Sequence, residues 1–261
     1  MNQNDSTVIY RREGAIAYIT LDRPEVLNAI NADLARDFLA TCREVSTDKE
    51  IRVVVINAAG RAFAAGGDLA QFRQDPLSVP EVLIDPMHEA ILLLSRLQAP
   101  VIASLHGAVS GAGMSLALAC DLAIAADNTR FNLAYAKVGA SCDLGASWNL
   151  PRLVGMRRAL EIALLSDTLD ADEALRLGLV NFVVAPDALV DQTLQLATRL
   201  AESPSVALGI LKRLIRSSFN ADLAEQLGAE RAGFARCSET VDFREGVAAF
   251  LDRRPAVYKG C

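Results

Sequence analysis

Histidine is scarce in this chain: 261 residues contain two, His88 and His106. They stand apart from any cluster of Cys or carboxylates at ligand spacing, so no metal site is expected. The five cysteines, Cys42, Cys120, Cys142, Cys237 and Cys261, are scattered, odd in number and without a C-x-x-C pair. That usage fits a reduced, cytoplasmic protein rather than a disulfide scaffold. Positive charge is also short, with 26 Lys and Arg against 32 Asp and Glu and a formal net charge of -6. Binding along a phosphate backbone needs many cations on one face, so no nucleic-acid partner is expected. No apolar run approaches about 18 residues, and no membrane span is expected. Met1–Asn2–Gln3–Asn4–Asp5 brings neither a basic nor an apolar stretch, which predicts a chain without a signal peptide.

What is present is a good core. Hydrophobic residues make up 52% and charged residues 22%, enough for one large domain or a domain with an appendage. Val8 to Leu21 alternates apolar and polar about Glu13-Gly14, a hairpin pattern. Asn31 to Val45 places Leu34, Phe38, Leu39, Cys42 and Val45 on one helical face. Val53–Ile56, Val101–Leu105 and Leu122–Ala126 read as buried strands, with helices from Asp68, over Met87–Leu97 and over Met114–Ala119. Strands alternating with helices through short connections predict an α/β architecture. From Val190 onward only helical spacing survives, in Leu194–Glu202, Ser205–Phe219, Leu223–Cys237 and Val241–Leu251. The expected division is an α/β part over 1–195 and a helical part over 196–261. Leu69 to Pro86 has three prolines and weak periodicity, and is expected to be a mobile wall of a site.

Two segments share one design. Ala62-Phe63-Ala64-Ala65-Gly66-Gly67-Asp68 and His106-Gly107-Ala108-Val109-Ser110-Gly111-Ala112-Gly113 each follow a buried strand and precede a helix. Small residues let a backbone or ligand come close, and free N–H groups at a helix start favour negative charge. Either turn alone reads equally as a tight strand–helix connection. Two side by side would aim two N–H donors at one oxygen, an oxyanion hole. No Gly-Lys-Ser/Thr follows, which argues against a phosphate loop.

In order along the chain, further motifs accompany these turns. They include Leu21-Asp22-Arg23-Pro24 with Leu27-Asn28-Ala29, Cys120-Asp121-Leu122, Pro151-Arg152-Leu153-Val154-Gly155 and Gly178-Leu179-Val180. With them the chain resembles the enoyl-CoA hydratase/isomerase (crotonase) superfamily over nearly its whole length. The resemblance implies a spiral of ββα units with a C-terminal helical region that builds homotrimers or hexamers; Ala235–Lys259 is the stretch that would pack between subunits. It implies an acyl-coenzyme A thioester substrate and no separate cofactor, coenzyme A being part of the substrate. It assigns the two oxyanion-hole N–H groups to Gly67 and Ala112, where the family usually has Gly at the second. It places coenzyme A near Leu27, Ala62, Ala64, Ala65 and Gly66, with Gly111 beside the second donor.

The sequence departs from the family's hydratases where those carry two glutamates. The aligned positions hold Ser115 and Tyr135, neither of which is a base near neutral pH. Asp143, in Ser141-Cys142-Asp143-Leu144-Gly145, matches an aspartate of family isomerases and of an aryl-CoA dehalogenase. Read alone it serves equally as a cap for a helix starting near Gly145. His88, twelve residues before Pro100, matches that dehalogenase's hydrolytic histidine, or is a helix-surface histidine. His106 is read as structural, and Cys142 as no nucleophile. The expected activity is double-bond isomerisation through a thioester enolate with Asp143 as base. The alternatives are a hydratase with atypical acid/base groups, dehalogenase-like attack by Asp143, and a non-catalytic scaffold or RNA-binding member.

Overall fold

The computed structural model describes residues 6–261; Met1–Asp5, the stretch bearing on a signal peptide, lies outside them. The strands are β1 (Val8–Glu13), β2 (Ile16–Leu21), β3 (Val53–Ala58), β4 (Val101–Leu105), β5 (Ala108–Ser110), β6 (Leu122–Ala126), β7 (Arg130–Asn132), β8 (Leu169–Asp170) and β9 (Phe182–Val184). The helices are α1 (Ala32–Thr47), α2 (Leu69–Gln74), α3 (Asp85–Arg96), α4 (Ala112–Ala119), α5 (Ala146–Val154), α6 (Met156–Leu165), α7 (Ala171–Leu177), α8 (Leu189–Ala201), α9 (Ser205–Ser217), α10 (Leu223–Ser238) and α11 (Val241–Leu251).

β1 and β2 form the expected hairpin about Gly14, with Glu13 paired to Ile16. A six-stranded sheet follows in the order β1-β2-β3-β4-β6-β9, parallel from β2 onward, beside a small sheet β5-β7-β8. Through the middle of the chain, a strand in the large sheet is followed by a short one in the small sheet and then a helix. β4-β5-α4 is one such unit. β3, the bridge from Ala64 to Val109, and α2 make another. This is the expected ββα spiral.

The parallel strands are apolar on both faces because both are covered. Val54 and Ile56 join the main core with Phe38 of α1, Met87 of α3 and Leu116 of α4, while Val53 and Val55 point into a second cluster with Leu189 and Ala197 of α8. Residue 195, the expected boundary, therefore falls inside a helix that packs on the sheet; the change to all-helical structure comes where α8 begins. Asn31 caps α1 by accepting the Leu34 N–H at 2.9 Å, and Asp68 caps α2 as expected. The short strands β5, β7, β8 and β9 were not legible because two or three residues carry no period.

Candidate active site

The two small-residue turns are laced together. Ala64 N–H donates to the Ala108 carbonyl at 3.1 Å, and Ser110 N–H returns to the Ala64 carbonyl at 2.9 Å. A β-carbon on Gly113 would stand 2.5 Å from the Ala64 carbonyl oxygen, and one on Gly111 only 3.4 Å from Gly66 Cα. Gly111 also sits at φ +50°, which disfavours a side chain there. The sequence of small residues is thus what lets the two turns touch.

That contact leaves two donors free. The bridge between Ile30 and Gly67 uses the Gly66 carbonyl and the Asp68 N–H, at 2.7 and 2.9 Å, and passes over the Gly67 N–H. Ala112 is the first residue of α4, where no acceptor exists within the helix. Among the described residues neither N–H has an acceptor. Gly67 and Ala112 both line one cavity of about 500 Å³, together with Ala65, Gly66, Gly111, Tyr135 and Asp143.

Asp143 is half-buried and turned away from helix capping. α5 starts with Gly145 as its cap residue and no side-chain cap bond, so the capping alternative fails. The Asp143 carboxylate instead accepts the Tyr135 hydroxyl. Ser115, fully buried on α4, lies 2.9 Å from the same phenol oxygen and 3.3 Å from the Gly111 carbonyl. Since the Tyr135 proton is committed to Asp143, the Ser115 hydroxyl donates to Tyr135. The two positions where family hydratases hold glutamate thus form a hydroxyl relay ending on Asp143. Burial pushes Asp143 above its ordinary value, and the hydrogen bond from Tyr135 pulls it back only in part. Burial and the Asp143 charge push Tyr135 up, so it remains a hydrogen-bond donor.

His88 is outside the cavity lining. It is exposed near the start of α3, and its Nε2 accepts the Leu144 N–H at 3.1 Å. His106 Nε2 lies 3.0 Å from the Gly60 carbonyl, a structural role as expected. Cys142 packs against the main core and lines no part of the cavity.

Leu27, Ala62 and Ala64 do not line this cavity. Ala62 and Ala64 are 2% and 0% exposed. The Leu27 carbonyl accepts the Ala65 N–H at 3.0 Å, and the buried Asn28 amide holds the Ala59 and Ala62 carbonyls at 2.8 Å. These residues brace the first turn from behind; Ala65 and Gly66 reach the cavity.

The expected wall is apolar, and its individual residues were not singled out in the sequence. Leu69, Phe72, Val79, Leu83 and Ile84 line the cavity, from the segment expected to form a wall. The Phe72 ring packs on Gly67 so closely that a β-carbon there would stand 2.4 Å from Phe72 Cζ. Its distance of five residues from Gly67 gave no period to find it by.

A family profile described as enoyl-CoA hydratase/isomerase matches residues 11–261. The 1,2-epoxyphenylacetyl-CoA isomerase of Escherichia coli K12 is 36% identical over 252 residues, covering 95% of this chain and 96% of that protein. The short-chain-enoyl-CoA hydratase of Clostridium acetobutylicum is 31% identical over 250 residues, covering 95% and 96%. The crystal structure of an enoyl-CoA hydratase from Polaromonas sp. JS666 superposes with a TM-score of 0.91 at 34% identity, covering 97% of this chain and 99% of that one. Matched along nearly its full length in both sequence and fold, the chain belongs to the enoyl-CoA hydratase/isomerase family.

Proposed function

We propose that the protein is an acyl-CoA double-bond isomerase that works through a thioester enolate. The observation that carries this is the composition of the cavity lining: among the described residues it holds one carboxylate, Asp143, together with the free N–H groups of Gly67 and Ala112. Asp143 removes a proton from the carbon between the thioester carbonyl and the double bond of a 3-enoyl thioester. The released pair moves onto the carbonyl oxygen, where the two N–H groups hold the charge of the dienolate. The carbonyl re-forms as Asp143 returns the proton to C4, leaving the double bond between C2 and C3. Each donor of this kind is worth about 3–4 kcal/mol.

One acid/base group suffices for this shuttle. Hydration asks for a second group to activate water, and Ser115 and Tyr135 have no basicity to spare. The Phe72 ring on Gly67 favours a second reading, an aryl thioester attacked by Asp143. That reading requires a histidine to activate water, and the Nε2 of His88 is engaged by Leu144 outside the cavity.

The test is incubation with 2-enoyl-, 3-enoyl- and aryl-CoA thioesters followed by mass spectrometry. A product of unchanged mass from the 3-enoyl thioester is expected. A gain of one water from a 2-enoyl thioester without any isomer would sink the reading in favour of a hydratase.

A further inference from the structure

We propose that His88 is a positioning residue that orients Asp143 through the backbone of Leu144. This rests on the reading of Asp143 as the acid/base.

The Leu144 N–H can only donate, so His88 Nε2 carries no proton and the ring proton is on Nδ1. In this state the imidazole is neutral and its Nε2 lone pair is taken. It is not available to activate a water, the role that the dehalogenase position would give it. What it does instead is fix one peptide plane. The Leu144 N–H belongs to the peptide that joins Asp143 to Leu144, so its direction sets how the Asp143 Cα presents its side chain.

The place needs such a hold. Leu144 sits at φ 50°, a left-handed conformation uncommon for a residue with a side chain, and Gly145 follows at φ 76°. The Leu144 side chain is 0% exposed and anchors one side of the bend. No side-chain cap steadies the start of α5. His88 comes from a separate element, 56 residues earlier, and supplies the missing acceptor from outside. Asp143 is thereby gripped at both ends: the carboxylate by Tyr135 and the following peptide by His88.

The experiment uses the full chain with His88→Ala, His88→Gln and Asp143→Asn side by side. Glutamine places Oε1 about where Nε2 stands and can accept the same N–H. In His88→Ala, kcat should fall by about 10- to 100-fold, the cost of a small misplacement of a reacting group, with KM little changed. His88→Gln should recover most of kcat. Exchange of the Leu144 amide, followed by NMR, should speed up in His88→Ala and return in His88→Gln. Wild-type kcat in His88→Ala, while Asp143→Asn is inactive, overturns the role of His88 alone. Equal losses in the two His88 variants, with Leu144 exchange unchanged, also overturn it. Wild-type turnover in Asp143→Asn would bring down the acid/base reading and this inference together.

Discussion

Tyr135 donates its hydroxyl proton to Asp143, so the carboxylate most suited to proton chemistry in this cavity is also the most constrained. One carboxylate oxygen is occupied by the phenol. In the proposed mechanism the other takes a proton from one carbon and returns it to another. A single oxygen working on one face of the substrate is the geometry of a shuttle, and it needs no second carboxylate.

Asp143→Asn should lower turnover by about 10²–10⁴-fold, the usual contribution of a positioned general base. It should not destabilise the fold. The folded protein raises the Asp143 pKa above its ordinary value, so the native state holds that proton more tightly than the unfolded chain. The contribution to stability is therefore present below the unfolded pKa and lost as pH rises through the folded one. Near neutral pH the buried charge is a burden that Asn removes. Melting curves should show the variant at least as stable as wild type at pH 7, with its relative advantage fading in acid. A variant that is clearly less stable at pH 7 would contradict this account.

Much of this site was legible in the sequence, for physical reasons that differ by residue. Gly66, Gly111 and Gly113 advertise a close approach because a side chain there meets backbone. Asp68 reads as a cap from its place before a helix, and the structure confirms the cap. Ser115, Tyr135 and Asp143 were each singled out by their positions in the family pattern, but the relay joining them was not, because it spans 28 residues and depends on a fold rather than a spacing. Ala62 and Ala64 were placed near coenzyme A by the family resemblance alone. What the structure adds is their local bonding: Ala64 pairs with β5, and the Ala62 carbonyl accepts from the Asn28 side-chain amide. Phe72 escaped because a lone aromatic in a segment of weak periodicity points nowhere until the chain is folded.

A second site governs stability. Lys212 of α9 is almost buried and meets Asp121 at 2.7 Å and the Leu94 and Ala99 carbonyls at 3.1 Å. Arg216 reaches the other Asp121 oxygen at 2.7 Å. Burial pulls Lys212 down, and Asp121 is the main influence holding its charge. Asp121→Asn leaves a buried ammonium without its counter-charge and should cost about 3–5 kcal/mol in denaturant unfolding. Pairing it with Lys212→Met should recover part of the loss. A single variant with an unchanged midpoint would show that the cluster does not pin α9 to the core.

Assembly is testable in the same way. Helix α10 spans 16 residues with none buried, and Leu223 and Phe234 are 74% and 66% exposed. On α11, Phe250 is 84% exposed. Apolar surface of this extent marks an interaction face. We propose that these helices meet copies of the same chain, as the family resemblance implies. Light scattering at micromolar concentration should give three or six times the 27.9 kDa chain mass. A species of one chain mass would refute it.

The sharpest pH test lies in Tyr135→Phe. Two influences set Asp143 in opposition: burial raises its pKa, and the Tyr135 hydrogen bond lowers it. Removing the hydroxyl takes away the lowering influence and leaves burial to act, so the pKa should climb further. As a base Asp143 must be ionised, and kcat/KM should decline as pH falls through that pKa. The acid limb of the wild-type profile should lie above the ordinary carboxylate range, and that of Tyr135→Phe higher still. At high pH, where both are ionised, the two profiles should draw closer. Ser115→Ala acts one bond further away, through the phenol oxygen at 2.9 Å, and should move the limb in the same direction by less. A Tyr135→Phe profile whose acid limb coincides with wild type would show that the phenol does not tune Asp143. A limb displaced toward lower pH would contradict the assignment of Asp143 as the base.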